Sequence, residues 1–321
     1  MNIVAMEKTQ HNAENVHVID ECFYIPQLDR TRRIWLYRPD GYEQSDKRYP
    51  VVYMHDGQNL FDQATAFGDE WGVDETLNSM LAECIIVGID NSEHRMTEYN
   101  YKSHEKFGKG EGSKYIDFIA NTLKPRIDAT FKTRPEREHT FIAGSSMGGL
   151  ISLYGALNHA ETFGGAGIFS PSLWLVPDAT EELKCLADKN AHLPQRFYFY
   201  GGGKEGDNMV EHIEHMVDLL NDYPYYHVTV EIDPEGDHSE YHWRNRFPHF
   251  YAWLALGQGA EVFNESQSEI IEPELEAEQE LENEQILETE LKSAKQRLER
   301  EQKLDTEQQL ETKFITHAAL W

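Results

Sequence analysis

Gly144-Ser145-Ser146-Met147-Gly148 sets two glycines around a serine in the pattern G-x-S-x-G, directly after the apolar run Phe141-Ile142-Ala143. Small residues at that junction suit a turn too tight for larger side chains, with Ser146 held out at its apex. Its hydroxyl would stand at the amino end of the following helix, whose dipole favours a developing negative charge. Ser145 is a small packing neighbour. A serine hydroxyl attacks a carbonyl only when a base takes its proton and an acid orients that base. A carboxylate and then a histidine are therefore expected downstream, in that order.

Nine histidines follow Ser146. His238, in "EIDPEGDHSEYHW", lies in a turn just past a strand-like run and is the candidate base; His242 and His249 fall on the last helix. For the acid, "RFYFYGGGKEGDN" offers Glu205 and Asp207 after a glycine run that lets the chain fold back over the sheet edge. Glu205 is nearer the strand end and is preferred; Asp207 is the alternative. Acyl chemistry also needs N–H donors for an oxyanion. Met147 supplies one, and Gln58 in "HDGQN" the other, with Gly57 permitting close approach. Arg95 and Tyr99, in "NSEHRMTEYNY", follow a strand at the same edge and are expected to contact substrate.

The elements that must position these residues alternate in type. Runs at 32–37, 50–56, 84–90, 139–144, 164–170, 196–202 and 227–233 are short, apolar and bounded by turn residues, as strands are. Helical patterns fall at 113–129, 148–159, 179–189, 208–222 and 241–256. This alternation predicts an α/β fold, a mostly parallel central sheet with helices on both faces and chemistry beyond the carboxyl ends of the strands.

Composition bounds the rest. The 57 acidic and 29 basic residues leave a formal charge of -28, which argues against nucleic acid and anionic membrane surfaces as partners. Cys22, Cys84 and Cys185 show neither disulfide nor zinc spacing. His212 and His215 lack a third metal ligand. The first residues contain no basic segment leading into an apolar run, so a cytoplasmic location is expected. Residues 261–321 carry 17 acids against 6 bases, and Leu287, Leu291, Ala294 and Leu298 have heptad-like spacing. The chain is thus divided into a flexible start (1–15), a catalytic domain (16–257) and an acidic, helical C-terminal tail (258–321). The tail is read as a solvated appendage, with a homo-oligomer through its helix as the other use.

"RRIWLYRPDGY", "YPVVYMHDGQNLFD", "IAGSSMGGLISLYGAL", "GGGKEGDN" and "DHSEYHWRNRFPHFYAWL" together resemble the esterase family of α/β-hydrolases, which includes enterochelin esterases, S-formylglutathione hydrolases and feruloyl or acetylxylan esterases. The resemblance spans roughly residues 16 to 257. It implies an α/β-hydrolase fold, hydrolysis of a small-molecule carboxylic ester or thioester through an acyl-serine, and a triad of Ser146, Glu205 and His238. No metal or organic cofactor is required by that chemistry. An acyltransferase on the same fold, and a non-enzymatic protein that gathers partners through the tail, are the competing expectations.

Overall fold

Val51-Val52-Tyr53-Met54 is apolar at every position, a pattern that suits a strand covered on both faces. The computed structural model, which describes residues 15–176, 180–206 and 208–257, builds the molecule around such strands. They are β1 (Val16–Ile25), β2 (Arg30–Tyr37), β3 (Val51–His55), β4 (Ile85–Ile89), β5 (Thr140–Ser145), β6 (Gly165–Phe169), β7 (Gln195–Gly202) and β8 (Tyr226–Asp233). Their order across the sheet is β1-β2-β4-β3-β5-β6-β7-β8. The β1/β2 and β2/β4 pairs are antiparallel, and every pair from β4 through β8 is parallel. This is the mostly parallel sheet that the alternating sequence predicts, and it agrees with the α/β-hydrolase fold that the resemblance implies.

Alternate strand residues feed two separate cores. Tyr53, Val87, Ile142 and Phe199 pack on one face with α3 (Gly112–Phe118), α5 (Met147–Asn158), α6 (Thr180–Asn190) and α7 (Met209–Asn221). Val52, Met54, Ile86, Tyr198 and Tyr200 pack on the other with α1 (Val73–Ser79) and α8 (Glu240–Leu256). The face under α1 and α8 is rich in rings: Trp71 lies 5.1 Å from Phe169 and 5.8 Å from Trp243, centroid to centroid. Aromatic pairs at such separations add about 0.5–1.5 kcal/mol each beyond area burial, so this face holds its loops firmly.

Four elements depart from the sequence reading. β1 was not expected, because as an edge strand it buries only its two ends and shows no clean alternation. The short α1 and α2 (Arg95–Glu98) were not expected either, having too few turns for a helical period to emerge. The helix expected at 113–129 is one helical run in three parts: α3, a π-helical turn at Ile119–Leu123, and α4 (Lys124–Thr130). Among the described residues no helix is long and apolar enough to cross a membrane. The tail expectation, including its heptad-like leucines, lies outside the described residues.

Candidate active site

β5 ends at Ser145 and α5 begins at Met147, leaving Ser146 alone at the junction with φ 59° and ψ −121°. A side chain with a Cβ rarely adopts that backbone, and positions of this kind cost about 1–3 kcal/mol. The surroundings hold it in place. Ser146 N–H donates to the Phe169 carbonyl at 2.8 Å, and its own carbonyl accepts from Leu150 N–H at 3.1 Å and Ser172 N–H at 3.0 Å. Gly149 lets α5 sit this close to β6, since a Cβ there would lie 2.8 Å from the Phe169 carbonyl oxygen.

At the end of β7 the chain turns through Gly203 and Lys204 and places the Glu205 side chain inside, with no exposed surface. One carboxylate oxygen accepts hydrogen bonds from Gly202 N–H and Ser170 Oγ, both at 2.6 Å. The other meets His238 Nδ1 at 2.7 Å. A proton on Nδ1 satisfies that contact and leaves Nε2 as the acceptor, the tautomer a general base needs. His238 is 39% exposed and packs edge-on against Trp243 at 5.0 Å. Trp243 Nε1 in turn donates to Ser170 Oγ at 2.8 Å, so one serine joins Glu205 and the ring beside His238. Asp207, the other candidate acid, lies outside the described residues.

Glu205 and His238 are therefore joined directly, whereas Ser146 is not hydrogen-bonded to His238 among the described residues. Its Oγ faces Ser172 Oγ at 3.2 Å. Catalytic serine–histidine contacts are often long in the absence of substrate, and a hydroxyl reorients by rotation about one bond. Ser170 and Ser172, in "SPSLW" just past β6, and Trp243 were not singled out in the sequence. The available signal was their position: two small hydroxyl residues at the carboxyl end of a central strand, the edge where the chemistry was expected.

The loop after β3 enters a short 3-10 turn at Gly57–Asn59. Gly57 is required there: a Cβ would stand 2.8 Å from both the Gly88 carbonyl carbon and the Ile89 nitrogen of β4. Gln58 is pinned by its flanks, its Oε1 accepting from Asn91 N–H at 3.0 Å and its carbonyl from Thr65 Oγ1 at 2.7 Å. No backbone carbonyl or side chain among the described residues accepts the N–H of Gln58 or of Met147. Two such donors are what an oxyanion requires.

Of Arg95 and Tyr99, only Tyr99 departs from expectation. Arg95 clamps Asp56 with Nε and Nη2, each at 2.8 Å, and Asn91 Nδ2 adds a third bond to the same carboxylate at 2.6 Å. Burial pushes Asp56 upward, but the guanidinium outweighs it and holds the carboxyl below its usual range. Tyr99 is fully buried, its hydroxyl accepting the Asp56 N–H at 3.2 Å, so it supports this ion pair from behind and has no surface for a substrate. The correction follows from packing: Tyr99, just past α2 and one turn on from Arg95, lies under the Arg95 guanidinium at 5.0 Å and against Tyr115 at 5.1 Å, while Arg95 stays about a quarter exposed.

His55 lies beneath the elbow, 2% exposed, with Nδ1 3.0 Å from the Tyr115 hydroxyl. Burial pulls it down to about 3, so the folded protein keeps it neutral while the unfolded chain protonates it near pH 6.5. With the folded value depressed, the unfolded state binds the extra proton, and stability must fall as pH drops below about 6.5. This one group contributes up to about 1.4 kcal/mol per pH unit. Urea denaturation of His55→Asn at pH 6.5, 5.5 and 4.5 should show a correspondingly shallower loss than the parent; identical slopes would assign the acid sensitivity elsewhere.

With this geometry in hand, similarity to known proteins can be set beside it. A family model described as "Putative esterase" matches residues 25–254. The uncharacterized protein YbbA of Bacillus subtilis is 30% identical over 150 residues, 44% of this chain and 58% of that protein. An iron(III) salmochelin esterase of Escherichia coli is 34% identical over 157 residues, 47% of this chain and 34% of that protein. The matched segments thus span from a third to somewhat over half of these relatives. Among solved structures, the BES protein from Bacillus cereus superposes with a TM-score of 0.64 at 18% identity, covering 77% of this chain and 98% of that one. The enterobactin esterase FES from Shigella flexneri gives 0.59 at 19% identity, covering 76% and 60%. At such identities the structural likeness speaks for the fold.

Proposed function

The chain belongs to the esterase family, and from that premise we propose that it is a serine esterase acting through an acyl-Ser146 intermediate, with Glu205 as the triad acid and His238 as the base. The observation that carries the reading is the buried Glu205 carboxylate, held by two donors on one oxygen and facing His238 Nδ1 at 2.7 Å with the other. A surface carboxylate would not be wired in this way. On substrate binding the Ser146 hydroxyl leaves Ser172 and turns to His238.

In the proposed cycle Ser146 Oγ bonds to the acyl carbon as its proton passes to His238 Nε2, and the carbonyl electrons move onto oxygen, where the N–H groups of Gln58 and Met147 receive them. Glu205 stabilises the imidazolium without taking its proton. Collapse of the tetrahedral intermediate breaks the bond to the alcohol oxygen, which departs with the proton from His238. Water then repeats the sequence on the acyl-enzyme, releasing the acid and restoring Ser146. Arg95 and Asp56 lie beside Gly148 of the elbow, with Asp56 Oδ2 3.6 Å from where a Cβ on Gly148 would stand, and shape the wall of the site.

The substrate is a small-molecule ester. The similar Escherichia coli protein is named for iron(III) salmochelin, which makes that ester the first natural candidate to screen beside aryl acetates and butyrates. The test is labelling of the intact chain with a fluorophosphonate, followed by peptide mapping. Modification confined to the peptide containing Ser146, together with hydrolysis of an activated ester, supports the reading. A folded protein that takes no label, or takes it on another serine, overturns it.

A further inference from the structure

Loop 60–72 returns to the sheet through Glu70 and enters α1, where Asp74 and Glu75 occupy the first turn. One carboxylate oxygen from each of Glu70, Asp74 and Glu75 lies within 4.8 Å of the others. Asp74 is 2% exposed, and its Oδ1 is a buried oxygen with no hydrogen-bond partner. Glu70 Oε1 is buried and unpartnered as well. Such atoms carry the full cost of lost hydration, about 1–3 kcal/mol each and more when charged, unless a ligand meets them. None of the three carboxylates forms an ion pair among the described residues. The neighbouring cation, Arg244, turns Nε and Nη2 onto the backbone carbonyl of Glu70, with Nε at 2.9 Å.

We propose that Glu70, Asp74 and Glu75 form a binding site for a hard divalent cation of the calcium class, separate from the serine chemistry. Three oxygen donors at this spacing fit an ion with bonds of about 2.3–2.6 Å, which holds ligand pairs up to about 5 Å apart. The donors are all carboxylate, which favours calcium over softer metals. The graded burial, from Asp74 inside through Glu70 to the exposed Glu75, leaves an open side for water to complete the coordination. Burial and the adjacent Glu75 push the Asp74 carboxyl up to about 8, so without a cation a shared proton is the competing occupant. The ion would tie the loop to α1 on either side of Trp71. Trp71 packs on Trp243, and Trp243 on His238, so the brace lies two rings away from the proposed base.

The experiment uses the full chain after chelator treatment, titrated with terbium(III) as a luminescent calcium substitute excited through tryptophan, then with calcium as competitor. Asp74→Asn, Glu75→Gln and a distant control, Glu161→Gln, are compared, with circular dichroism to verify the fold of each. Glu75 is exposed, so its variant keeps the test valid if Asp74→Asn folds poorly. The expected result is a saturable, calcium-displaceable signal in the parent and the control, weakened at least tenfold in the other two. Calcium at about ten times its Kd should also raise the parent's melting temperature by about 2 °C or more, an effect cut to about a third or less in both site variants. Equal titrations in all four proteins would place cation binding elsewhere and overturn the proposal. So would the absence of any saturable signal in the parent, which would leave the proton as the occupant.

Discussion

Ser146→Ala is expected to lower kcat on an activated ester by about 10⁴-fold or more while the protein folds as before. The loss is large because the proposed triad works as a unit: without the hydroxyl, Glu205 and His238 have no nucleophile to activate. Folding survives because the elbow is held by backbone bonds, from Ser146 N–H to Phe169 and from Ser172 N–H to the Ser146 carbonyl, which alanine retains. A companion variant separates chemistry from strain. Ser146→Gly should be equally inactive yet more stable than the parent by about 1 kcal/mol, because glycine tolerates a φ of 59° that serine does not. In a domain of this size that is a rise of about 2–4 °C in melting temperature. Activity retained in either variant would move the nucleophile to another residue. Inactivity accompanied by unfolding would assign Ser146 a structural role.

The second large effect concerns the acid. Glu205 meets donors with both oxygens: Gly202 N–H and the Ser170 hydroxyl on one, His238 Nδ1 on the other. A glutamine there can present its carbonyl to only one side. If the amide nitrogen faces Gly202 and Ser170, the backbone N–H meets another donor inside the protein. If it faces His238, the imidazole must place its proton on Nε2, the nitrogen that should accept from Ser146. Glu205→Gln is therefore expected to cost about 10³–10⁴ in kcat, with KM for a small ester little changed. The measurement is steady-state hydrolysis with Asp207→Asn alongside, for which near-parental activity is expected. The reverse pattern, with Glu205→Gln active and Asp207→Asn inactive, would transfer the acid's role to Asp207.

Much of this arrangement was legible in the sequence because it rests on local rules. Gly144 through Gly148 announces a strand-to-helix turn, and the continuous apolar runs of β3, β4 and β7 announce strands with two buried faces. Glu205 was preferred over Asp207 by distance from the strand end, and its side chain does reach His238. The parts that were not legible depend on neighbours distant in the chain. Ser170 bonds to Glu205 across 35 residues and accepts from Trp243 across 73, so nothing within "FSPSLW" distinguishes it from a loop serine. Tyr99 follows a strand at the expected edge, yet packing holds it against Asp56 and Tyr115 instead of outward. β1 has the residues of a half-solvated ribbon and becomes a strand through its pairing with β2.

The segment from Phe169 to Ser172 has a consequence for anyone reshaping this protein. Within four residues it supplies the carbonyl that seats Ser146, the hydroxyl that holds Glu205, and the N–H and hydroxyl that meet Ser146 from the far side. Inserting or deleting one residue there would unseat Ser146 and Glu205 in a single step. Loop residues 62–69 and 103–110, largely exposed, hydrogen-bond to neither Ser146 nor Glu205, and the residue to keep within them is Thr65, whose Oγ1 donates to the Gln58 carbonyl. Directed evolution for new acyl or alcohol groups should therefore randomise those loops in length as well as composition, and keep 169–172 invariant in every library.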